Sequence, residues 1–367
     1  MDKVYISNYH INCAQGDLSQ TVEAIKNEDI NISYKTLSTD KNDIVIPYFL
    51  LENEIQEEQE SIYLALKDIT SKVLVNLDAN QRKSTALIVG TSLIDMYIVD
   101  SIEDSVYEDT KKEYYSEKHS IDSYAKRLSL EFGLNDFTMT ISTACTSSAN
   151  ALLEGVNLLK CGIFDYVIVI GVEIFSQMMS SGFSSMSLLS SSIQKPFDNN
   201  RDGLILGEAI AAVLISKEKA LWSLEGGFTN SNSVTITSVS QSGEEYVEVM
   251  QNALKGSSLV PRDITALKTH ATGTYTNDLA EINAISKVFD TDIVFTALKP
   301  YIGHTLGACG ILELAIFISS IDNGFIPKTL NHSEPIIEEY TPINIHKQCD
   351  SGIFMLNYFG FGGTTPL

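Results

Sequence analysis

Hydrophobic and polar positions along the chain alternate between two periods. The stretch KVYISNYHI (3–11) reads as a strand, and DLSQTVEAIKNE (17–28) as a capped amphipathic helix. A longer helical pattern near 57–78 leads into the apolar strand TALIVGTS (85–92). An acidic stretch over 99–119 interrupts this rhythm and reads as an insertion or a partner-facing loop. After it, IDSYAKRLSLEFGL resumes a helix that ends at Gly133.

The order then tightens. A strand over 137–143 leads to Cys145 and to a helix whose apolar positions Ala149, Leu152, Leu153, Val156 and Leu159 share one face. The helix stops at Cys161-Gly162, before the strand YVIVIGV (166–172). So uniformly apolar a strand implies a sheet covered on both faces. A similar order returns from residue 263: strand 264–269, helix 278–289, strand 293–297, helix 306–321 and a last strand 353–359. Two comparable halves predict an α/β fold with an internal duplication, its helices and two sheets stacked in layers.

Composition narrows the function classes. With 44% hydrophobic and 20% charged residues in 367, the chain is long enough to form two cores. Against 47 Asp+Glu stand 25 Lys+Arg, a net charge of −22 that repels nucleic acid and anionic membranes. Acid concentrates in LENEIQEEQE (51–60) and over 99–120, read as solvated faces or loops. The start MDKVYISNYH has no basic and apolar leader, and no window approaches a membrane span, so a cytoplasmic location is expected. The five cysteines, 13, 145, 161, 309 and 349, are odd in number and unpaired in spacing, which argues against disulfides and thiolate metal sites.

Candidate chemistry starts at ISTACTSSANALLEG (141–155). Cys145 falls at a predicted strand-to-helix junction, where free backbone N–H groups and the helix dipole favour a thiolate. A nucleophile needs partners that manage protons or negative charge. His10, His119, His332 and His346 lie in ordinary polar or strand-end contexts. His270 opens HATGTYTNDLAE and His304 stands in LKPYIGHTLGACG, each just before a helix start.

These stretches carry a resemblance. TACTSS around Cys145, PFDNNRDGLILGE (196–208), HATGTYTNDLAE (270–281), LKPYIGH (298–304) and NYFGFGG (357–363) together resemble a β-ketoacyl synthase, a condensing enzyme of fatty-acid and polyketide assembly. The resemblance spans essentially the whole chain and implies the thiolase-like layered αβαβα fold. Residues 1–220 would form a half carrying the nucleophilic cysteine, and 221–367 a half carrying the two histidines. It further implies that Cys145 accepts an acyl group from an acyl carrier protein, and that His270 and His304 stabilise the enolate formed when malonyl loses CO₂. Lys299 would orient a histidine, and Glu281 would pair with that network. Phe361 would supply a backbone N–H to the oxyanion hole, its ring gating acyl entry. Thr272 and Thr274 would bind the phosphopantetheine amides. Neither a metal nor an organic cofactor is implied, since the substrates ride on the carrier.

Departures accompany the match: Ala271 and Tyr275 for glycine and proline, Leu204 for an aromatic residue, GEAIAAV in place of GEGAG, and Thr365 for asparagine. Methyl groups at Ala271 and at Ala209-Ile210 are expected to alter the pantetheine tunnel or its packing. Acyl carrier proteins are acidic, so the acidity of this chain implies either a local basic patch or docking by another subunit. The resemblance leaves open a homodimer or a heterodimer with a second ketosynthase homologue. It also leaves open a competent synthase, a chain-length-factor-like subunit, or a related acyltransferase, although two histidines argue against thiolases.

Overall fold

A computed structural model of the chain describes residues 3–38, 42–52, 55, 59–92, 122–231 and 239–361, together with the backbone of 364–366. The acidic stretch 99–119 lies outside the described residues. Elements run β1 (Val4–Cys13), α1 (Leu18–Asn27), β2 (Ser33–Leu37), β3 (Ile44–Phe49), α2 (Gln59–Val73), α3 (Ala79–Lys83), β4 (Thr85–Gly90) and α4 (Ser123–Phe132). Next come β5 (Thr138–Ile141), α5 (Ser147–Lys160), β6 (Tyr166–Glu173), α6 (Gln177–Ser185), β7 (Leu206–Gly207), β8 (Ala209–Ser216), β9 (Trp222–Leu224), β10 (Thr229–Ser231) and α7 (Glu244–Gly256). The remainder holds β11 (Ala266–Lys268), α8 (Tyr275–Val288), β12 (Phe295–Thr296), α9 (Lys299–Ile302), α10 (Cys309–Asp322), β13 (Phe325–Ile326), β14 (Lys347–Gln348), β15 (Phe354–Leu356) and β16 (Thr364–Pro366).

Local signals explain several boundaries. The Asp17 carboxylate accepts the Gln20 N–H at 3.0 Å, and Gln20 Oε1 accepts the Asp17 N–H at 2.8 Å, a reciprocal cap that starts α1. Gly133, at φ 64°, ends α4 with a left-handed residue that costs glycine nothing. Glu60, in the acidic 51–60 stretch, pairs with exposed Arg127, as expected of a solvated helix face. Among the described residues no helix is long and apolar enough to cross a membrane.

The main sheet has the order β5-β4-β6-β8-β1-β9, and its strand alternation feeds two cores. Ala86 and Ile88 of β4, Val167 and Val169 of β6, and Ala211, Val213 and Ile215 of β8 face the central helices. Leu87, Val89, Ile168, Ile170 and Leu214 face α2 and α4 on the outside. The second sheet, β12-β11-β15, is parallel; Ala266 and Phe354 point to the same central layer, while Leu267 and Met355 pack under α7 and α8. The layers are therefore helix, sheet, helix, sheet, helix, which is the αβαβα architecture the sequence implied.

The halves are less equal than the sequence suggests. Strands expected over 264–269, 293–297 and 353–359 shorten to two or three residues each. One cause is visible at β11, where the His270 and Ala271 N–H groups leave the ladder for the Glu281 carboxylate, both at 2.8 Å. The single buried face expected of α5 also widens. Ala151, Gly155 and Leu158 are buried as well, whereas Leu152 and Leu153 are only partly so, because a middle-layer helix is touched nearly all round. α5 and α10 approach so closely that a Cβ on Gly310 would lie 2.3 Å from the Ala149 nitrogen.

Candidate active site

The turn that presents Cys145 is held by the hydroxylated residues around it. Ser147 Oγ accepts the Thr143 N–H at 2.9 Å and donates to the Ala144 carbonyl at 2.6 Å, while Thr146 Oγ1 donates to the Thr143 carbonyl at 2.6 Å. Ala144 sits at φ 52°, a left-handed conformation that these bonds sustain. Beneath the turn, Gly90 of β4 admits α5, since a Cβ there would lie 2.4 Å from Ser148 Cα. The small and hydroxylated residues of TACTSS are what a sharp strand-to-helix turn requires.

Three of the candidate groups converge. His304 Nε2 is 3.2 Å from Cys145 Sγ, and the His270 and His304 rings stand nearly perpendicular with centroids 5.2 Å apart. Short segments with shared backbone bonds position them. His304 follows α9 and donates its N–H to the Ile205 carbonyl at 2.7 Å, and its own carbonyl accepts the Gly207 N–H, which fastens the LKPYIGH segment to GLILGE. Both imidazoles are buried and held well below the usual histidine range, by burial first and by the Lys299 charge second, so both are neutral at pH 7.

Lys299 lies in the site, and its carboxylate partner is a residue the sequence reading did not name. Lys299 Nζ donates to Glu313 Oε1 at 2.6 Å and lies 3.4 Å from His270 Nδ1. Glu281 instead holds the backbone of His270 and Ala271, and it also accepts from Asn357 Nδ2 at 3.3 Å. The difference is geometric: Glu281 on α8 lies under the turn after β11, whereas Glu313 on α10 faces the Lys299 segment from the central layer. Sequence reading missed Glu313; its signal was one acidic residue in the apolar run ILELAIFI. Lys268, also unanticipated, donates to the other Glu313 oxygen at 2.6 Å.

The charge state expected of Cys145 is corrected. Burial pushes its thiol up to about 12, and Lys299 and the Phe361 N–H only partly oppose this. The resting group is therefore a thiol, because the residue precedes a helix start that is itself closed off from water. The backbone N–H groups of Phe361 and of Cys145 itself act with Lys299 to oppose this rise, against the larger effect of burial.

A cavity of ≈50 Å³ is lined by Cys145, His270, His304, Thr272, Thr274 and Phe361. The Phe361 ring stacks on Phe183 at 5.8 Å, and both line it with Leu204. Thr272 and Thr274 share a hydrogen bond at 2.8 Å, so their hydroxyls are preordered toward each other at this wall. A larger cleft of ≈330 Å³, lined by Leu152, Leu153, Trp222 and Phe354, contains none of these groups, so size does not locate the chemistry.

The departures resolve into separate cases. Ala271 is buried at φ 48°, a conformation that glycine adopts without strain. Ala209 and Ile210, expected to alter the pantetheine tunnel or its packing, lie inside β8, paired with Cys13 and Asn12 of β1, and face the cores. Arg201 stands over the ring of Tyr275 at 4.8 Å and donates to the Tyr275 carbonyl, placing a cation beside the segment that carries the two threonines. In PFDNNRDGLILGE, Asp198 accepts the N–H groups of Ser333 and Glu334, and Glu208 those of Leu51 and Phe175, so its acids tie distant loops beneath the site.

Comparison with known proteins agrees with this arrangement. Residues 63–220 match the β-ketoacyl synthase N-terminal domain and residues 223–333 its C-terminal domain. The chain is 28% identical over 275 residues to the mitochondrial 3-oxoacyl-[acyl-carrier-protein] synthase of Arabidopsis thaliana, covering 68% of this chain and 60% of that protein. It is 29% identical over 262 residues to the tetracenomycin polyketide synthase ketoacyl synthase alpha subunit of Streptomyces glaucescens, covering 66% and 61%. The matches thus span about 60% of the length of these relatives. In fold it matches the ketosynthase ApeO, solved in complex with its chain length factor ApeC, from Xenorhabdus doucetiae, with TM-score 0.86, 21% identity and coverage of 100% and 96%. With both domain signatures matched over 63–220 and 223–333, the chain belongs to the β-ketoacyl synthase family.

Proposed function

We propose that this chain catalyses decarboxylative Claisen condensation, extending an acyl chain by two carbons with malonyl from an acyl carrier protein. The observation that carries this reading is the 3.2 Å contact between Cys145 Sγ and His304 Nε2 beside a second neutral imidazole, all lining one cavity. Because the thiol is neutral at rest, acylation starts with its proton passing to His304 Nε2 as sulfur attacks the carrier thioester. The tetrahedral oxyanion sits against the N–H groups of Cys145 and Phe361. The oxyanion then collapses, the carrier thiolate leaves and takes the proton from His304, and the acyl group stays on Cys145.

Malonyl on a second carrier next loses CO₂, and its two bonding electrons become the enolate. Negative charge grows on the thioester oxygen, where His270 donates its N–H and His304 does so once its hydrogen has moved from Nδ1 to Nε2. The enolate carbon attacks the Cys145 thioester, a carbon–carbon bond forms, and the carbon–sulfur bond breaks to leave the Cys145 thiolate, which takes a proton from solvent to become the resting thiol again. Phe361 moves off Phe183 to admit the acyl chain, and Thr272 and Thr274 bind the pantetheine amides. The partners are the carrier protein and a second copy or homologue of this chain.

A second reading, a chain-length-factor-like subunit that does not condense, is favoured by the net charge of −22, which disfavours direct docking of an acidic carrier. Intact-mass measurement with acyl- and malonyl-carrier substrates separates the two, run on the chain alone and with a ketosynthase homologue as partner. A covalent acyl adduct and product, both abolished by Cys145→Ala with assembly intact, support condensation. Unchanged product from an assembly carrying Cys145→Ala assigns the second role.

A further inference from the structure

Lys268 ends β11, two residues before His270, and its side chain is wholly buried. An ammonium has no place in an apolar interior unless its hydrogen bonds and charge are met there. Its Nζ donates to Glu313 Oε2 at 2.6 Å and to the Asn357 carbonyl at 2.7 Å, and lies 3.5 Å from the centre of the Tyr358 ring. The other Glu313 oxygen takes Lys299 Nζ, also at 2.6 Å. One carboxylate therefore carries two ammonium groups, one on each oxygen.

Both supports of His270 pass through this lysine. Its ring is approached by Lys299, which shares Glu313 with Lys268. Its backbone N–H is held by Glu281, which accepts from Asn357, the residue whose carbonyl takes Lys268. Lys268 and Lys299 stand against Glu313 and against Glu281, whose carboxyl is raised to about 7 by burial, with His270, His304, Cys145, Cys309, Tyr246, Tyr358 and Asp278 as the other titratable groups around them. Without Lys268, one cation would face two carboxylates beside an oxygen that becomes anionic during reaction.

We propose that Lys268 is a positioning residue for the condensation. By occupying Glu313 Oε2 it directs Lys299 to Oε1 and toward His270 Nδ1, which keeps His270 an acceptor at Nδ1 with its hydrogen on Nε2. The role in rate rests on the condensation reading above; the role in holding His270 neutral does not. Burial draws the Lys268 ammonium down to about 8 against the pull of Glu313, so the device weakens as pH rises through that value.

The test uses Lys268→Met, which keeps the length without the charge, and Lys268→Gln, which keeps a donor. Histidine NMR on the full chain should show His270 titrating at higher pH in both variants, because a neighbouring cation has gone. Malonyl decarboxylation should fall about 10- to 100-fold in kcat with KM for the malonyl carrier unchanged, the size of effect seen when a supporting partner is removed. Its decline above about pH 8 in the parent should disappear in the variants. If His270 titrates alike in parent and folded variants, the proposal is overturned, whatever the activity. If His270 shifts but the parent neither decarboxylates nor condenses, Lys268 keeps its charge role and the condensation reading falls. Should neither variant fold, the parent decides: a His270 shift step near pH 8 supports the proposal, and a flat response refutes it.

Discussion

Glu313→Gln removes the single negative charge between two buried ammonium groups while preserving shape. Each N···O contact is 2.6 Å, worth about 6 kcal/mol of gross attraction at an effective dielectric of ~20. Desolvation of the three ions offsets most of this, so the net loss on breaking such a buried network is about 3–5 kcal/mol. With about 2.1 cal/mol/K of unfolding entropy per residue, 367 residues convert that into a fall of roughly 4–6 °C in the unfolding midpoint at pH 7. The deficit should be pH-dependent. In the variant both lysines lack a counter-charge: Lys268 drops further below its unfolded value and Lys299, held above it in the parent by Glu313, falls under it, so the unfolded state binds more protons than the folded one. Stability of the variant therefore rises with pH more steeply than that of the parent, whose Lys268 already titrates at about 8, and the gap narrows between pH 7 and 9. Scanning calorimetry of both proteins at pH 7, 8 and 9 measures it. A midpoint shift under about 1 °C, or a deficit that stays constant over this range, would refute the account of one carboxylate neutralising two lysines.

Three further outcomes are expected. His270→Ala should lower condensation about 10² to 10³-fold yet leave acylation of Cys145 intact by mass, since it supplies an enolate donor and does not touch the thiol. Iodoacetamide at pH 7.5 should label exposed Cys161 well before Cys145, whose labelling should still be accelerating above pH 9 because burial holds its thiol at about 12; peptide mapping that found Cys145 modified first would contradict this. Gly310→Ala should cost about 1–3 kcal/mol in urea unfolding and slow acylation, because its methyl would lie 2.3 Å from the Ala149 nitrogen and push apart the helices that carry Glu313 and follow Cys145.

Much of this protein could be read from local pattern alone. Period-two and period-3.6 stretches located β1, α1, β4, β6 and α10, since each buries a face or a whole element whose composition is set within a few residues. The five motifs likewise pointed to Cys145, His270, His304 and Lys299, because turn chemistry with glycine, threonine and serine is itself local. Long-range pairing was not legible. That Lys299 meets Glu313 on α10, that Glu281 serves the backbone of His270, and that Lys268 shares the same carboxylate depend on which helix enters the central layer and on which side. The state of Cys145 was also out of reach: a helix start alone favours a thiolate, but burial among residues distant in the chain, Leu204 and Phe361 among them, removes the water that would stabilise one. Sequence determined the elements, their order and the candidate side chains, because these follow from a few neighbouring residues. Only the tertiary structure decided their partners and charges, because desolvation and Coulomb energy depend on distances between residues far apart in the chain.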